Sequence, residues 1–285
     1  MIATAQWEIV RKDEKFRFQL ELDASDPTEK AIVDCSKARV LYEGDVAGLM
    51  VNVLRAGDIV VVVGANCGFF TILAASLVGS SGHVIAIEPS PACLPRLRNN
   101  LTLNGLTNVT VVDRVATDFC GDAQFYLNSD NRGGSALWNV GDYHGNPKSR
   151  DNPIAISVAA TTIDNEFRQR GIVTPKLIKI DAEGAEQRVL QGAIGHLTNC
   201  AVPFLVAELN AFALAKLGNS QLSMRGLMEG LGYSTFGLYY SNAIPKLIPP
   251  GSLIRSPFVV NLLFSTPKNV AAYWPVAIID PRSPV

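Results

Sequence analysis

The sequence predicts an α/β fold: a mostly parallel sheet with helices on both faces. Three observations carry this. Runs of β-branched residues alternate with helix-period segments through the middle of the chain; a glycine turn joins the first run to its helix; and acidic residues close several of the runs. Strands buried on both faces read as continuous apolar runs, which is the pattern here.

"DIVVVVGAN" (58–66) is a buried strand ended by glycine, and "CGFFTILAASLV" (67–78) has helical spacing. "HVIAIEP" (83–89) is the second strand. "PACLPRLRNNLTLNG" (91–105) is a helix with Pro95 in its first turn and Gly105 at its end. "NVTVVDRVA" (108–116) is the third strand, so a β-α-β-α-β order with right-handed crossovers is expected. "AQFYL" (123–127) and "IAISVAATTID" (154–164) read as an inserted hairpin around a Gly-, Asn- and Pro-rich loop over 128–153. A structureless loop that long in a compact domain is usually functional or disordered. The α/β rhythm resumes with "KLIKID" (176–181), a helix at 184–193 and "PFLVAELN" (203–210). A helix at 221–231, then "YSTFGLYY" (233–240) and "FVVNLLF" (258–264), complete about seven core strands. Residues 1–50 are expected to form an N-terminal cap, 51–265 the catalytic domain and 266–285 a tail.

The 285 residues include 48% hydrophobic and 18% charged positions, enough for a sizeable core. With 25 basic against 26 acidic residues the net charge is −1, which argues against a nucleic-acid partner. The five cysteines are scattered without a CxxC pair, so neither structural zinc nor a disulfide framework is expected. The N-terminus lacks a signal-peptide core, and no apolar run approaches the ~20 residues of a membrane span. A cytoplasmic protein is the expectation.

Gly64 allows the backbone to turn sharply near a ligand, and Gly68 allows close packing of the helix that follows. Glu88 ends the next strand, 24 residues after Gly64, where an acid typically accepts hydrogen bonds from ribose hydroxyls. The turn is G-x-x-x-G rather than the dinucleotide G-x-G-x-x-G, with Asn66 at the middle position, and it has no P-loop lysine. A nucleoside cofactor without phosphates, S-adenosylmethionine, fits best. A nicotinamide oxidoreductase is disfavoured by the same missing glycine and by the lack of a Tyr-x-x-x-Lys pair.

Taken together, "GDIVVVVGANCGFFTILAA", "GHVIAIEPSP", "LRNNLTLNG", "ATTID" and "LIKIDAEGAEQRVLQGA" resemble the FkbM family of S-adenosylmethionine-dependent methyltransferases, over roughly residues 40–265. "LYEGD" (41–45) and "GGSAL" (133–137) are weaker landmarks. The resemblance implies a class I methyltransferase fold, Rossmann-like, with a seven-stranded sheet whose last strand is antiparallel. It puts Gly64, Ala65, Asn66 and Gly68 against the methionine part of the cofactor and Glu88, with the adjacent Pro89, at the ribose. Ala116 would line the adenine, Tyr42 would close over the cofactor, and Asp181 would face its amino group or methyl. One departure stands out: Val62 holds a position that is usually acidic in this class. That keeps a catalytically degenerate cofactor- or peptide-binding module as the reading from outside enzymology.

Asp181, Glu183 and Glu186 crowd the start of a helix, and Glu208 and Asn210 close the next strand. Helix N-termini stabilise carboxylates, so a capping role is favoured for Glu186. Asp181, Glu183, Glu208 and Asn210 are the candidate catalytic set. Asp181 or Glu183 would serve as general base, with Glu208 and Asn210 orienting the acceptor. The less favoured arrangement has Asp181, Glu208 and Asn210 holding Mg²⁺ or Ca²⁺. His144 and the aromatics Trp138, Tyr143, Tyr239 and Tyr240 are candidates for an acceptor pocket, whereas Cys67 is expected to serve packing. The acceptor expected is a hydroxyl of a sugar, polyketide or other secondary metabolite, with a side-chain amide of a ribosomal peptide as the alternative.

Overall fold

The computed structural model describes residues 1–238, 244–256 and 258–274. A hairpin opens the chain, β1 (Ile2–Arg11) against β2 (Glu14–Asp23), in register from Ile2 opposite Asp23 to Arg11 opposite Glu14. Alternate residues point inward, burying Ala5, Trp7 and Ile9 from one strand and Phe18, Leu20 and Leu22 from the other. Helix Pro27–Lys37 follows, capped by Asp26, whose carboxylate accepts from the backbone N–H groups of Thr28 and Glu29. Helix Gly44–Val53 runs without a break through the boundary expected at residue 50.

The central sheet uses β3 (Ile59–Val63), β4 (His83–Ile87), β5 (Val109–Val112), β9 (Leu177–Ile180), β10 (Phe204–Leu209), β11 (Ser234–Leu238), β12 (Lys246–Ile248) and β13 (Val260–Ser265). Their order is β12-β11-β13-β10-β9-β3-β4-β5. The five strands from β5 to β10 are mutually parallel, whereas β13 runs antiparallel to both β10 and β11. This is the expected mostly parallel α/β sheet with an antiparallel late strand, extended by the short edge strand β12. The expected third strand divides. It leaves the sheet after Val112, and β6 (Val115–Ala116) pairs with β8 (Ile154–Thr161), which also pairs with β7 (Gly121–Leu127). The inserted hairpin is therefore the larger part of a separate three-stranded sheet.

Sheet alternation divides the core into two layers. Val60, Val62 and Leu177 face the N-terminal hairpin and helix Phe69–Val78, whereas Val61, Val63, Ile178 and Ile180 face helix Glu186–Gln191 and helix Gln221–Gly230. The hairpin thus shares one hydrophobic layer with the sheet. Residues 267–273, expected within a tail, form helix Pro267–Tyr273, and Val270 and Trp274 are buried in that same layer. The 128–153 stretch carries two 3-10 turns and a short helix, Pro147–Asp151. Tyr239 and Tyr240 lie outside the described residues. None of the described helices is long and apolar enough to cross a membrane.

Candidate active site

The carboxyl ends of β3, β4, β9 and β10 open onto one cleft. Gly64 adopts φ +74°, and a Cβ built there would lie 1.8 Å from the carbonyl oxygen of Asp181, so only glycine lets β3 turn this close to β9. Asn66 is left-handed as well, at φ +48°. Its backbone N–H donates to Glu88 Oε2 at 2.7 Å, and the N–H of Ser90 donates to Glu88 Oε1 at 2.8 Å. Glu88 therefore ties the glycine turn to the end of β4. Burial pushes its carboxyl up to about 7, against those two backbone donors.

At the end of β9, Lys179 is 2% exposed. Burial alone would lower its pKa, but Asp181 and Glu43 outweigh that and hold it above its ordinary value. Its ammonium lies 2.8 Å from Asp181 Oδ2 and 4.4 Å from the centre of the Phe70 ring. After Asp181 the chain leaves the extended conformation. Glu183 sits at φ +49° and Gly184 at φ +98°, so Asp181 and Glu183 do not share a direction as two residues of one strand would. Glu186 folds back instead. Its Oε1 accepts from the N–H groups of Ala182 at 3.0 Å and Gly184 at 3.1 Å, which fixes the turn that aims Glu183. Trp138 holds the same turn from the insertion, its Nε1 donating to the Glu183 carbonyl at 2.7 Å.

Three adjoining spaces meet here. A pocket of about 110 Å³ is bounded by the 64–67 turn, Tyr42, Glu43, Phe69, Phe70, Lys179 and the carboxyl groups of Glu88, Asp181, Glu183 and Glu208. A mostly apolar slot continues past Glu88 between Pro89, Cys93, Val115, Ala116, Phe125 and Leu137. A wider cavity of about 450 Å³ opens between the insertion and the region after β10, lined by Trp138, Tyr143, Phe212, Asn128, Asn146 and Asn210 among others. Glu183 is common to all three. Burial, then the Asp181 and Glu186 charges, push its carboxyl up to about 8. Glu208 is raised too, by burial and then by Asp181.

The insertion roofs the pocket. Gly133 borders both the pocket and the slot, and a Cβ on it would meet the Asn66 side-chain amide at 2.6 Å. Arg132 locks this segment to the N-terminal cap through Asp23, Asp26 and Glu29, at 3.1, 3.4 and 3.1 Å. Thr28 Oγ1 adds a hydrogen bond to Asn131 Oδ1 at 2.9 Å.

Residues 63–235, well over half of the chain, match the model of the methyltransferase FkbM domain. The chain belongs to the FkbM methyltransferase family. That family is one of S-adenosylmethionine-dependent methyltransferases. Shorter similarity links it to protein-L-isoaspartate O-methyltransferases. That of Ignicoccus hospitalis is 44% identical over 59 residues, which is 21% of this chain and 28% of the relative. The second enzyme of that name from Archaeoglobus fulgidus is 44% identical over 59 residues, 21% of this chain and 27% of the relative. The chain thus spans little more than a quarter of those relatives. Among solved structures, an FkbM methyltransferase from Methylobacillus flagellatus is 17% identical, with 83% of this chain and 53% of that one covered at a TM-score of 0.43. A precorrin-6y C5,15-methyltransferase from Geobacter metallireducens is 14% identical, with 79% and 89% covered at a TM-score of 0.44.

In this FkbM-family chain the pocket fits the S-adenosyl cofactor by its charge: among the described residues five carboxyl groups face it against one ammonium, a balance that favours a cationic ligand. Of the residues expected at the cofactor, Tyr42, Gly64, Ala65, Asn66, Glu88 and Asp181 line the pocket, and Pro89 and Ala116 line the slot. Gly68 does not line either space. It begins helix Phe69–Val78 at φ +101°, and its missing Cβ makes room for Leu97, whose Cδ1 would be 2.9 Å away. Asp181, Glu183 and Glu208 line the same pocket, whereas Asn210 faces the wider cavity and spends its side-chain oxygen capping helix Ala211–Lys216 through the Ala213 N–H at 3.2 Å.

That cap also weakens the arrangement in which Asp181, Glu208 and Asn210 chelate a metal, since the Lys179 ammonium already sits on Asp181. Among the described residues no group of three or more His, Cys, Asp or Glu side chains is placed to hold an ion. His144 packs against Tyr143 with the rings tilted, 4.6 Å between centres, and is not among the cavity's lining residues. Cys67 is buried, its thiol pushed up to about 12 by burial, in keeping with packing. Sequence reasoning missed Lys179, Glu43 and Arg132. The signal for Lys179 was available: a lone cation in the middle of an otherwise apolar strand.

Proposed function

We propose that this protein transfers a methyl group from S-adenosylmethionine to a hydroxyl of an uncharged small molecule such as a sugar, polyketide or other secondary metabolite. Glu183 acts as the general base. The observation that carries this reading is the position of Glu183, a carboxyl group common to the pocket, the slot and the wider cavity. S-adenosylmethionine, when bound, supplies a methyl carbon activated by the sulfonium charge.

The chain supplies position, charge and a proton acceptor. Glu88 receives the ribose hydroxyls on the lone pairs left by its two backbone donors. Pro89, Ala116 and the neighbouring apolar side chains flank the adenine. Asp181, restrained by Lys179, keeps negative charge beside the cationic end of the ligand. In the wider cavity, Trp138, Tyr143 and Phe212 offer flat apolar faces, and Asn128, Asn146 and Asn210 add polar groups to the lining. Among the described residues Glu183 is the one charged side chain lining that cavity, which supports a neutral acceptor. Holding the acceptor oxygen in line about 3 Å from the methyl provides most of the effect of proximity. Glu183 would take the hydroxyl proton as the oxygen–carbon bond replaces the carbon–sulfur bond and S-adenosylhomocysteine leaves, and a carboxyl near its working pH suits that task.

The test is turnover of S-adenosylmethionine with neutral glycosides, hydroxylated polyketides and asparagine-containing peptides, followed by mass spectrometry of the product. The reading expects a methyl ether on a hydroxylated acceptor. Methylation confined to amide nitrogen would overturn the acceptor assignment, and cofactor binding without turnover on any acceptor would favour a binding module.

A further inference from the structure

Glu43 stands where a helix cap belongs, yet it does not cap. It precedes helix Gly44–Val53 with its backbone left-handed at φ +42°, and its side chain makes no hydrogen bond to the first turn. The carboxyl group faces the pocket of Gly64, Lys179, Asp181 and Glu208 instead. Strained residues of this kind gather at functional sites.

The charge balance around Lys179 says what the position is for. Its cross-strand neighbours are Val62 on β3 and Val206 on β10, which lie on the same face of the sheet because side chains alternate in register. Neither valine can meet a charge. Asp181 takes one side of the ammonium at 2.8 Å, and Glu43 approaches from the cap. Among the described residues lining the pocket, the remaining carboxyl groups have no cation of their own. An amino-acid-bearing ligand brings one, its α-ammonium group.

We propose that Glu43 is a further cofactor-binding residue, which holds the α-ammonium group of the cofactor's methionyl end from the cap, opposite a strand that offers only Val62. This rests on the reading of the pocket given above. It also gives the cap a task in binding that its packing on the sheet does not require.

Calorimetric titration with two probes tests it. S-adenosylhomocysteine carries the α-ammonium group, whereas 5′-methylthioadenosine has the adenosyl sulfide without the amino acid. The Glu43→Gln protein should bind S-adenosylhomocysteine about tenfold to a hundredfold more weakly, the range for losing a hydrogen bond between charged groups. Its affinity for 5′-methylthioadenosine should match wild type, which also reports that the variant is folded. Equal weakening toward both probes would make Glu43 a structural residue and overturn the proposal, as would no change toward either. A wild-type protein that bound neither probe would sink the reading of the pocket itself.

Discussion

Glu183→Gln is the perturbation with the most to say about mechanism. The two side chains have nearly the same shape, and the turn that presents residue 183 is fixed by Glu186 and by Trp138 through backbone groups, so the substitution leaves the position in place. A carboxamide cannot take a proton. Loss of a general base costs about 10²–10⁴ in rate. The free carboxyl titrates near 8, above the usual carboxylate range because it is buried beside Asp181 and Glu186. Its ionised fraction therefore grows as pH rises past neutrality, so kcat/KM for S-adenosylmethionine should rise between pH 7 and pH 8. Bringing a cation into the pocket favours the ionised carboxyl, and the corresponding limb in kcat should lie at lower pH. The assay is release of S-adenosylhomocysteine across pH 6 to 9, alongside its binding affinity. The account expects a slow variant with no such pH limb and near-normal affinity. A Gln variant with wild-type rate and an unchanged pH profile would refute the assignment of the base.

Three further outcomes follow from the geometry. Gly64→Ala puts a Cβ onto the Asp181 carbonyl in a left-handed turn, so it should destabilise the fold by about 1–3 kcal/mol in urea titrations and abolish measurable S-adenosylhomocysteine binding; unchanged affinity would contradict the close approach of β3 and β9. Glu88 and Glu186 titrate near 7 and Glu183 near 8, all above the ordinary carboxyl value of 4.5, so the stability they contribute is complete below 4.5 and is lost as pH rises through 7 to 8. Thermal melts of the ligand-free protein should therefore fall from pH 5.5 to 8.5, and the upward shift given by S-adenosylmethionine should grow over the same range; a melting temperature that rises with pH would contradict this. Arg132→Ala removes one partner of the nearly buried Asp26 and Glu29, with Arg96 left on Glu29, and because Arg132 itself is about a third exposed the loss should be about 1–2 kcal/mol. Melts with and without S-adenosylhomocysteine should also show a smaller ligand shift, since Gly133 then loses its tether over the pocket; an undiminished shift would mean that the roof does not help hold the ligand.

The parallel core was legible because buried strands and amphipathic helices leave their period in the sequence, and the glycine turn and Glu88 were legible because their spacing along one β-α-β unit is local. What the sequence hid is long-range. Glu43 reaches the pocket only because the cap folds onto the sheet face that carries Val62 and Lys179, a packing that no local pattern encodes. The N-terminal hairpin does alternate through "TAQWEIV" and "FRFQLEL", a strand signal that the reading of residues 1–50 as an undivided cap left unused. Asn210 misled because strand-end and helix-cap positions coincide there, and its side chain satisfies the helix. Glu183 was picked for its charge, but its direction depends on a left-handed backbone that strand alternation does not anticipate.

The most direct test of the account is a crystal structure with S-adenosylhomocysteine bound. The account predicts the ribose hydroxyls on the Glu88 carboxylate, the adenine between Pro89 and Ala116, and the sulfur facing Glu183 at the opening to the wider cavity. An adenosyl group bound away from the 64–67 turn, or a sulfur that points away from Glu183 into the closed side of the pocket, would contradict it.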